Sequence, residues 1–166
     1  GTLTYGSPVL TNVGAIAASD LALAASLARA SKHPLSRALA AAAGPGGVST
    51  DTQETPGEGL EARVNGVPVR LGRAEWVGAA HAPYSNASHL WLRKGMQAPI
   101  RFDFEDQLRP GAVETVTALR ALGLNVEMLS GDRVAPAQLI AGQAGIATWH
   151  AAYDPKQKAE YLERLR

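Results

Sequence analysis

The chain has 166 residues, 46% hydrophobic and 19% charged, enough to bury roughly two-thirds of its unfolded surface, which excludes a disordered segment. Lys plus Arg number 16 and Asp plus Glu 15, a net charge of +1; this balance argues against binding nucleic acid or anionic membrane through bulk charge. Aromatics at 5% disfavour a base-stacking platform, and the lack of cysteine removes disulfides, thiolate metal sites and cysteine nucleophiles.

No apolar run approaches the roughly 20 residues needed to cross a bilayer. The opening Gly1-Thr2-Leu3-Thr4 has neither the basic flank nor the apolar stretch of a signal peptide. The closing residues, Lys158 to Arg166, stop inside a helical pattern. Both ends are therefore expected to be cuts in a longer protein.

After a short N-terminal strand the pattern turns helical. Ser19 is expected to cap, Asp20 to favour the first turn, and Ala17, Leu21, Ala24 and Ala28 to share a stripe. Pro34 breaks the helix after His33, because proline disfavours helical geometry in the residue before it. A second Ala-rich helix, Leu35 to Ala43, ends at Gly44-Pro45-Gly46-Gly47. From about Val48 to Phe104 the reading is strands. Leu60, Ala62 and Val64 alternate with polar residues, Asn65-Gly66 makes a hairpin turn, and Val67, Val69 and Leu71 resume the alternation. His89 to Leu92 and Ala98 to Phe104 are two further strands. Such tight hairpins imply an antiparallel sheet with the two helices on one face.

The character changes at about Ile100. Pro110 is expected to open a helix with Ala112, Val116 and Leu119 inward, closed by Gly123. A strand from Leu124 to Leu129, the turn Ser130-Gly131-Asp132, a helix from Val134 to Ala144 and a short strand from Ala147 to His150 follow. Asp154-Pro155-Lys156-Gln157 starts the last helix as a capping box. Alternating helix and strand means a parallel, doubly wound α/β sheet. The expected organisation is an antiparallel α+β module, residues 11–98, inserted into an α/β module made of residues 1–10 and 99–166.

Ligands of open α/β sheets sit at the carboxyl ends of strands, where Ser130-Gly131-Asp132 falls. A hydroxyl, a glycine and a carboxylate there suit phosphate and Mg²⁺; an ordinary turn with Asp132 as helix cap suits the same residues. Lys158 either reaches a phosphate from the last helix or is a solvated lysine. His33 lies between two helices, where its imidazole can meet a base or cap a helix. Gly57, Gly59 and Gly72 flank strands, either for close approach of a flat ligand or for turns and bulges. His81, His89 and His150 show no metal-ligand spacing, so no metal site is assigned. Asp103, Glu105 and Asp106 read as a solvated strand end.

The order of these signals resembles the heavy-metal (P1B) branch of the P-type ATPases. Gly1-Thr2-Leu3-Thr4 is similar to the tail of the Asp-Lys-Thr-Gly-Thr-Leu-Thr phosphorylation motif, and Ser31-Lys32-His33-Pro34-Leu35 to the branch's Ser-Glu-His-Pro-Leu signature. Gly57, Gly59 and Gly72 match its nucleotide-domain glycines. Asp106-Gln107-Leu108-Arg109-Pro110 resembles Asp-x-Leu-Arg-Pro, Ser130-Gly131-Asp132-Arg133 stands where Thr-Gly-Asp-Asn is usual, and Pro155-x-x-Lys158 where Pro-x-Asp-Lys is usual.

The resemblance implies a truncated haloacid-dehalogenase-like phosphorylation domain carrying an inserted nucleotide-binding domain. It implies ATP at His33, Pro34, Gly57, Gly59 and Gly72. The transferring phosphate and Mg²⁺ would lie at Thr2, Ser130, Gly131, Asp132 and Lys158. In the whole pump an aspartyl-phosphate would couple ATP hydrolysis to metal export, copper by similarity to the pumps that serve cytochrome oxidase assembly. Transmembrane and actuator domains would be its partners, and the chain would be a cytoplasmic part of an integral inner or plasma membrane protein. The phosphorylated Asp would precede Gly1, so the fragment alone is expected to be inactive. The branch's adenine-contacting Glu is here Ala28, a loss of about 1 to 2 kcal/mol for one buried hydrogen bond. Two other readings use the same residues: a soluble haloacid-dehalogenase-type phosphatase with a cap, which needs an Asp-x-Asp near its N-terminus, and a non-catalytic nucleotide-binding module.

Overall fold

The computed structural model describes residues 2–79 and 88–165. His81 lies outside them. Contacts divide the chain into two compact units, Ser7–Glu105 and Gly1–Gly6 with Asp106–Arg166.

The first unit holds most of a six-stranded sheet formed by β1 (Thr4–Leu10), β2 (Gln53–Thr55), β3 (Gly59–Val64), β4 (Val67–Gly72), β5 (Ser88–Lys94) and β6 (Ile100–Leu108). The strand order is β1-β6-β5-β4-β3-β2, and the pairs from β2 to β6 are antiparallel. Asn65, at φ 51°, and Gly66, at φ 79°, make the left-handed turn that joins β3 to β4 and sets Val64 opposite Val67. On one sheet face the inward residues Leu60, Ala62, Val69, Leu71, Leu90, Leu92, Phe102 and Phe104 form one core with Ala24, Leu27, Ala28 and Leu39. Those last four come from α1 (Ala18–Ala28) and α2 (Pro34–Ala43). The alanines let α1 and α2 lie close, and the large side chains supply the burial, about 1.5 to 3 kcal/mol for each fully buried one. A short helix, α3 (Ala74–Val77), follows β4.

The second unit contains α4 (Ala112–Ala121), β7 (Glu127–Leu129), α5 (Val134–Gln143), β8 (Thr148–His150) and α6 (Pro155–Arg164). Strands β7 and β8 pair in parallel, Leu129 opposite His150, the arrangement that a strand-helix-strand sequence gives. Val116, Met128, Ala137, Ile140, Ala141, Ala144 and Ile146 form its core. In sequence, an antiparallel α+β unit is thus inserted into a unit with a parallel α/β pairing. Among the described residues no helix is long and apolar enough to cross a membrane.

Several local expectations need correction. Ser19 does not cap α1: the cap position is Ala17, without a side-chain bond, and Ser19 lies within the first turn. Pro110 does not open α4, because Gly111, at φ 80°, occupies the cap and the helix begins at Ala112. The strand expected from Leu124 begins only at Glu127. Gly123, at φ 78°, ends α4, and Leu124 N–H returns to the Leu119 carbonyl at 3.2 Å, a helix-terminating bond that leaves Leu124 exposed. The acidic residues near the end of β6 are not a solvated group. Asp103 is part-buried and accepts from Arg101 Nε and lies against His89 Nδ1, each at 2.8 Å, while its own N–H donates to Asn12 at 2.9 Å.

Candidate functional site

In the first unit the Ser31-Lys32-His33-Pro34 loop joins α1 to α2. Pro34 takes the first position of α2, where its missing N–H costs nothing. His33 caps that helix, its Nδ1 accepting from Leu35 N–H at 3.3 Å. With Nδ1 accepting, the neutral ring carries its proton on Nε2, and His33 is exposed, so this donor faces outward. The cap therefore uses Nδ1 alone. Ser31, one of two buried polar residues among those described, donates its hydroxyl to Glu54 Oε1 at 2.8 Å and accepts from His33 N–H at 3.1 Å.

Glu54 sits on β2, opposite Leu60, and the next pair is Thr55 with Gly59. The connection from β2 to β3 is a turn in which Glu58 N–H donates to the Thr55 carbonyl at 3.0 Å. Gly57 needs its glycine for conformation: φ is +80° and a Cβ would stand in open space. Gly59 and Gly72 are glycines for a different reason. They face each other across β3 and β4. A Cβ on Gly59 would lie 2.4 Å from the Leu71 carbonyl oxygen and 2.9 Å from the Trp76 ring, and one on Gly72 would meet the Glu58 carbonyl oxygen at 2.4 Å. Trp76 thus occupies the space that the two glycines leave. Arg70 spans the outer side of that ring, 5.1 Å from its centroid, and pairs with Glu61 at 2.6 Å. Ala28 is fully buried within the core and presents no polar group.

In the second unit Ser130, Gly131 and Asp132 follow β7. Ser130 donates its hydroxyl to Asp132 Oδ2 at 2.8 Å and accepts from Asp132 N–H at 3.1 Å. Asp132 is not the helix cap: Arg133 holds that position for α5, without a side-chain bond. The turn is zipped to the segment after β8, Ser130 N–H to the His150 carbonyl at 2.8 Å, Tyr153 N–H to the Ser130 carbonyl at 3.0 Å and Ala152 N–H to the Asp132 carbonyl at 2.7 Å. Lys158 is half-buried on α6, and its Nζ lies 3.8 Å from where a Cβ of Gly131 would stand. Ser130, Gly131, Asp132 and Lys158 are brought together. Thr2 is exposed, next to Leu3, whose carbonyl accepts from Arg109 N–H at 2.8 Å.

The Asp106 carboxyl is pushed above the usual aspartate range by burial and by the negative charge of Asp132. The last helix is anchored by polar groups, since none of its residues is buried. Asp154 and Gln157 form the expected capping box. Tyr161 donates to Glu127 at 2.5 Å and lies 3.1 Å from His150 Nε2. The hydrogen bond to Glu127, with that carboxylate's charge, raises the tyrosine's pKa. Sequence reasoning missed Glu54, Trp76, Asp106 and the Glu127–Tyr161–His150 group as neighbours of the site. Only Asp106 stood in a motif; Glu54 meets Ser31, and Tyr161 meets Glu127, through pairings distant in sequence.

The family model for a haloacid dehalogenase-like hydrolase matches residues 1–166. The chain is 42% identical over 171 residues to the nitrogen fixation protein FixI of Rhizobium leguminosarum bv. viciae, covering 99% of this chain and 22% of that protein. It is 36% identical over 180 residues to the probable copper-transporting ATPase SynA of Synechococcus elongatus, covering 100% of this chain and 23% of that protein. Among solved structures, a zinc-transporting PIB-type ATPase in its E2.Pi state superposes with a TM-score of 0.85 at 26% identity, over 99% of this chain and 30% of that one. The catalytic domain of the CPx-ATPase CopB-B gives 0.69 at 25% identity, over 99% of this chain and 63% of that one. The chain therefore spans less than a quarter of those two curated relatives, and it belongs to the haloacid dehalogenase-like hydrolases.

Proposed function

We propose that the chain is the ATP-binding region, with part of the phosphorylation region, of a P1B-type ATPase that exports a heavy metal, copper, across a membrane. The unit Ser7–Glu105 is the nucleotide-binding domain and Gly1–Gly6 with Asp106–Arg166 the partial phosphorylation domain, both on the cytoplasmic side. The parent pump supplies the transmembrane and actuator domains and takes the metal as cargo.

The observation that supports this reading most is the link between the Ser31–Pro34 loop and the strand that feeds the Gly57 turn. It joins an outward imidazole donor to a strand ending in a tight glycine turn, which suits a flat base held by few contacts. His33 donates from Nε2 to the base; Pro34 and the backbone at Gly57, Gly59 and Gly72 shape the pocket wall. In the second unit Lys158 neutralises phosphate charge beside Gly131, while Ser130 and Thr2 contribute hydroxyls. Mg²⁺ takes oxygen ligands and keeps several waters, so it needs only one or two carboxylates beside a phosphate. Asp132, exposed at the turn with Asp106 in its field, fits that demand. When bound, Mg²⁺ neutralises the charge that develops on the transferring group.

Titration of the chain with ATP, ADP and GTP, with and without Mg²⁺, followed by amide NMR, tests the nucleotide reading. The expected outcome is adenine-selective binding at about 0.1 to several mM, the roughly −4 to −5.5 kcal/mol of a few base contacts. Shifts should centre on His33, Gly57 and Gly59. Absence of binding at about 10 mM, a free energy weaker than roughly −3 kcal/mol, overturns it.

A further inference from the structure

We infer that Glu54 is the positioning residue for His33, acting through the hydroxyl of Ser31. This inference rests on the nucleotide-binding reading of the same site.

A serine hydroxyl has one proton and two lone pairs. Here the proton goes to Glu54 Oε1 at 2.8 Å and a lone pair receives His33 N–H at 3.1 Å. Both roles of the hydroxyl are fixed, so the carboxylate of Glu54 decides how the hydroxyl is oriented toward His33. Burial raises the stakes, since Ser31 is only 7% exposed and an unpaired buried group is costly. Strand β2 is the outermost of the sheet and all three of its residues are exposed, so its ladder to β3 and the bond to Ser31 hold it.

The consequence is a set of hydrogen bonds, linked through the backbone of His33 and of the strand, that runs from the imidazole to the glycine turn. Leu35 N–H fixes the ring through Nδ1, Ser31 fixes the His33 backbone, and Glu54 joins Ser31 to the strand whose next residue accepts the turn's closing bond. Glu54 and Ser31 are 23 positions apart. Holding the donor in place before the ligand arrives lowers the ordering cost of binding, which is how a residue outside the contact shell raises affinity.

The experiment is a double-mutant cycle on the whole chain, with ATP affinity measured by calorimetry for wild type, E54A, E54Q, H33A and E54A/H33A. The fold of each variant is checked by thermal unfolding. E54A is expected to bind ATP about tenfold more weakly, the size of one net hydrogen bond. E54Q keeps an acceptor of the same shape for Ser31, so its affinity should stay within about twofold of wild type, under half a kcal/mol. In the H33A background, adding E54A should change nothing further, because the positioned group is gone. An equal loss from E54A in both backgrounds, or wild-type affinity in E54A, overturns the inference. If the wild type binds no nucleotide, the functional reading fails. In that case hydrogen exchange at His33 N–H decides the linkage by itself: faster exchange in E54A but not E54Q sustains it, and unchanged exchange in both overturns it.

Discussion

Gly59 and Gly72 stand directly opposite each other on β3 and β4, and a Cβ on either would collide with backbone carbonyl oxygen at 2.4 Å. Neither glycine is free to change, whatever binds nearby. Gly57 differs, having a left-handed φ of +80° and open space around it. Gly59→Ala and Gly72→Ala are each expected to destabilise the first unit by about 3 kcal/mol, the upper range for overpacking. Gly57→Ala should cost about 1 kcal/mol, the strain of an alanine in left-handed geometry. Urea unfolding of the three variants checks the order. Equal effects would show that the contact with Trp76 is easily relieved.

Asp106 gives a pH signature. Its folded pKa lies above its ordinary value because of burial and the neighbouring Asp132, so the native carboxyl holds its proton more tightly than the unfolded one. Stability from this group is fully present below the unfolded pKa and is lost as pH rises through the folded pKa. Asp106→Asn removes the ionisation. The variant should therefore lose this acid-side dependence and be more stable than wild type at neutral pH, read as thermal midpoints of the second unit between about pH 3 and 7, the range in which carboxyls titrate. A variant whose midpoint fell at neutral pH while keeping the wild-type slope would contradict this.

Much of this architecture was legible in the chain. The Asn65-Gly66 hairpin, the alternation of Leu60, Ala62 and Val64, and the Asp154–Gln157 capping box are local signals, and local signals fix local geometry. Ser130, Gly131 and Asp132 could be singled out because they follow a strand end, where open α/β sheets take their ligands. What was not legible depends on side chains meeting across long sequence separations. Ser31 with Glu54, and Tyr161 with Glu127, are joined only once strands are paired and helices docked. Asp103 misled in part for the same reason: a carboxylate among acidic neighbours reads as solvated until the paired strand places His89 beside it. Trp76 was unreadable because its partners are glycines, which have no side chain to announce a contact.

Ser31 is expected to be the most sensitive polar position of the first unit. Ser31→Ala leaves His33 N–H without its acceptor in a nearly buried place, at a cost of about 1 to 2 kcal/mol. Chemical denaturation measures it. An exposed serine such as Ser19 serves as the control, with an expected change within about 0.5 kcal/mol.

Tyr161 ties the last helix to β7 by donating to Glu127, and α6 has no buried residue to hold it otherwise. The tyrosine is the donor, so the bond exists only while the phenol is protonated. Its folded pKa is raised above the ordinary tyrosine value by that same bond. The contribution is therefore complete below the unfolded pKa of about 10 and is lost as pH rises through the folded value. Tyr161→Phe should remove the alkaline part of the unfolding profile of the second unit that comes from this phenol. Since α6 also carries Lys158 beside Gly131, the variant should loosen that lysine, seen as greater mobility of its side chain by NMR. Alkaline unfolding identical to wild type, with Lys158 undisturbed, would show that the capping box alone holds the helix.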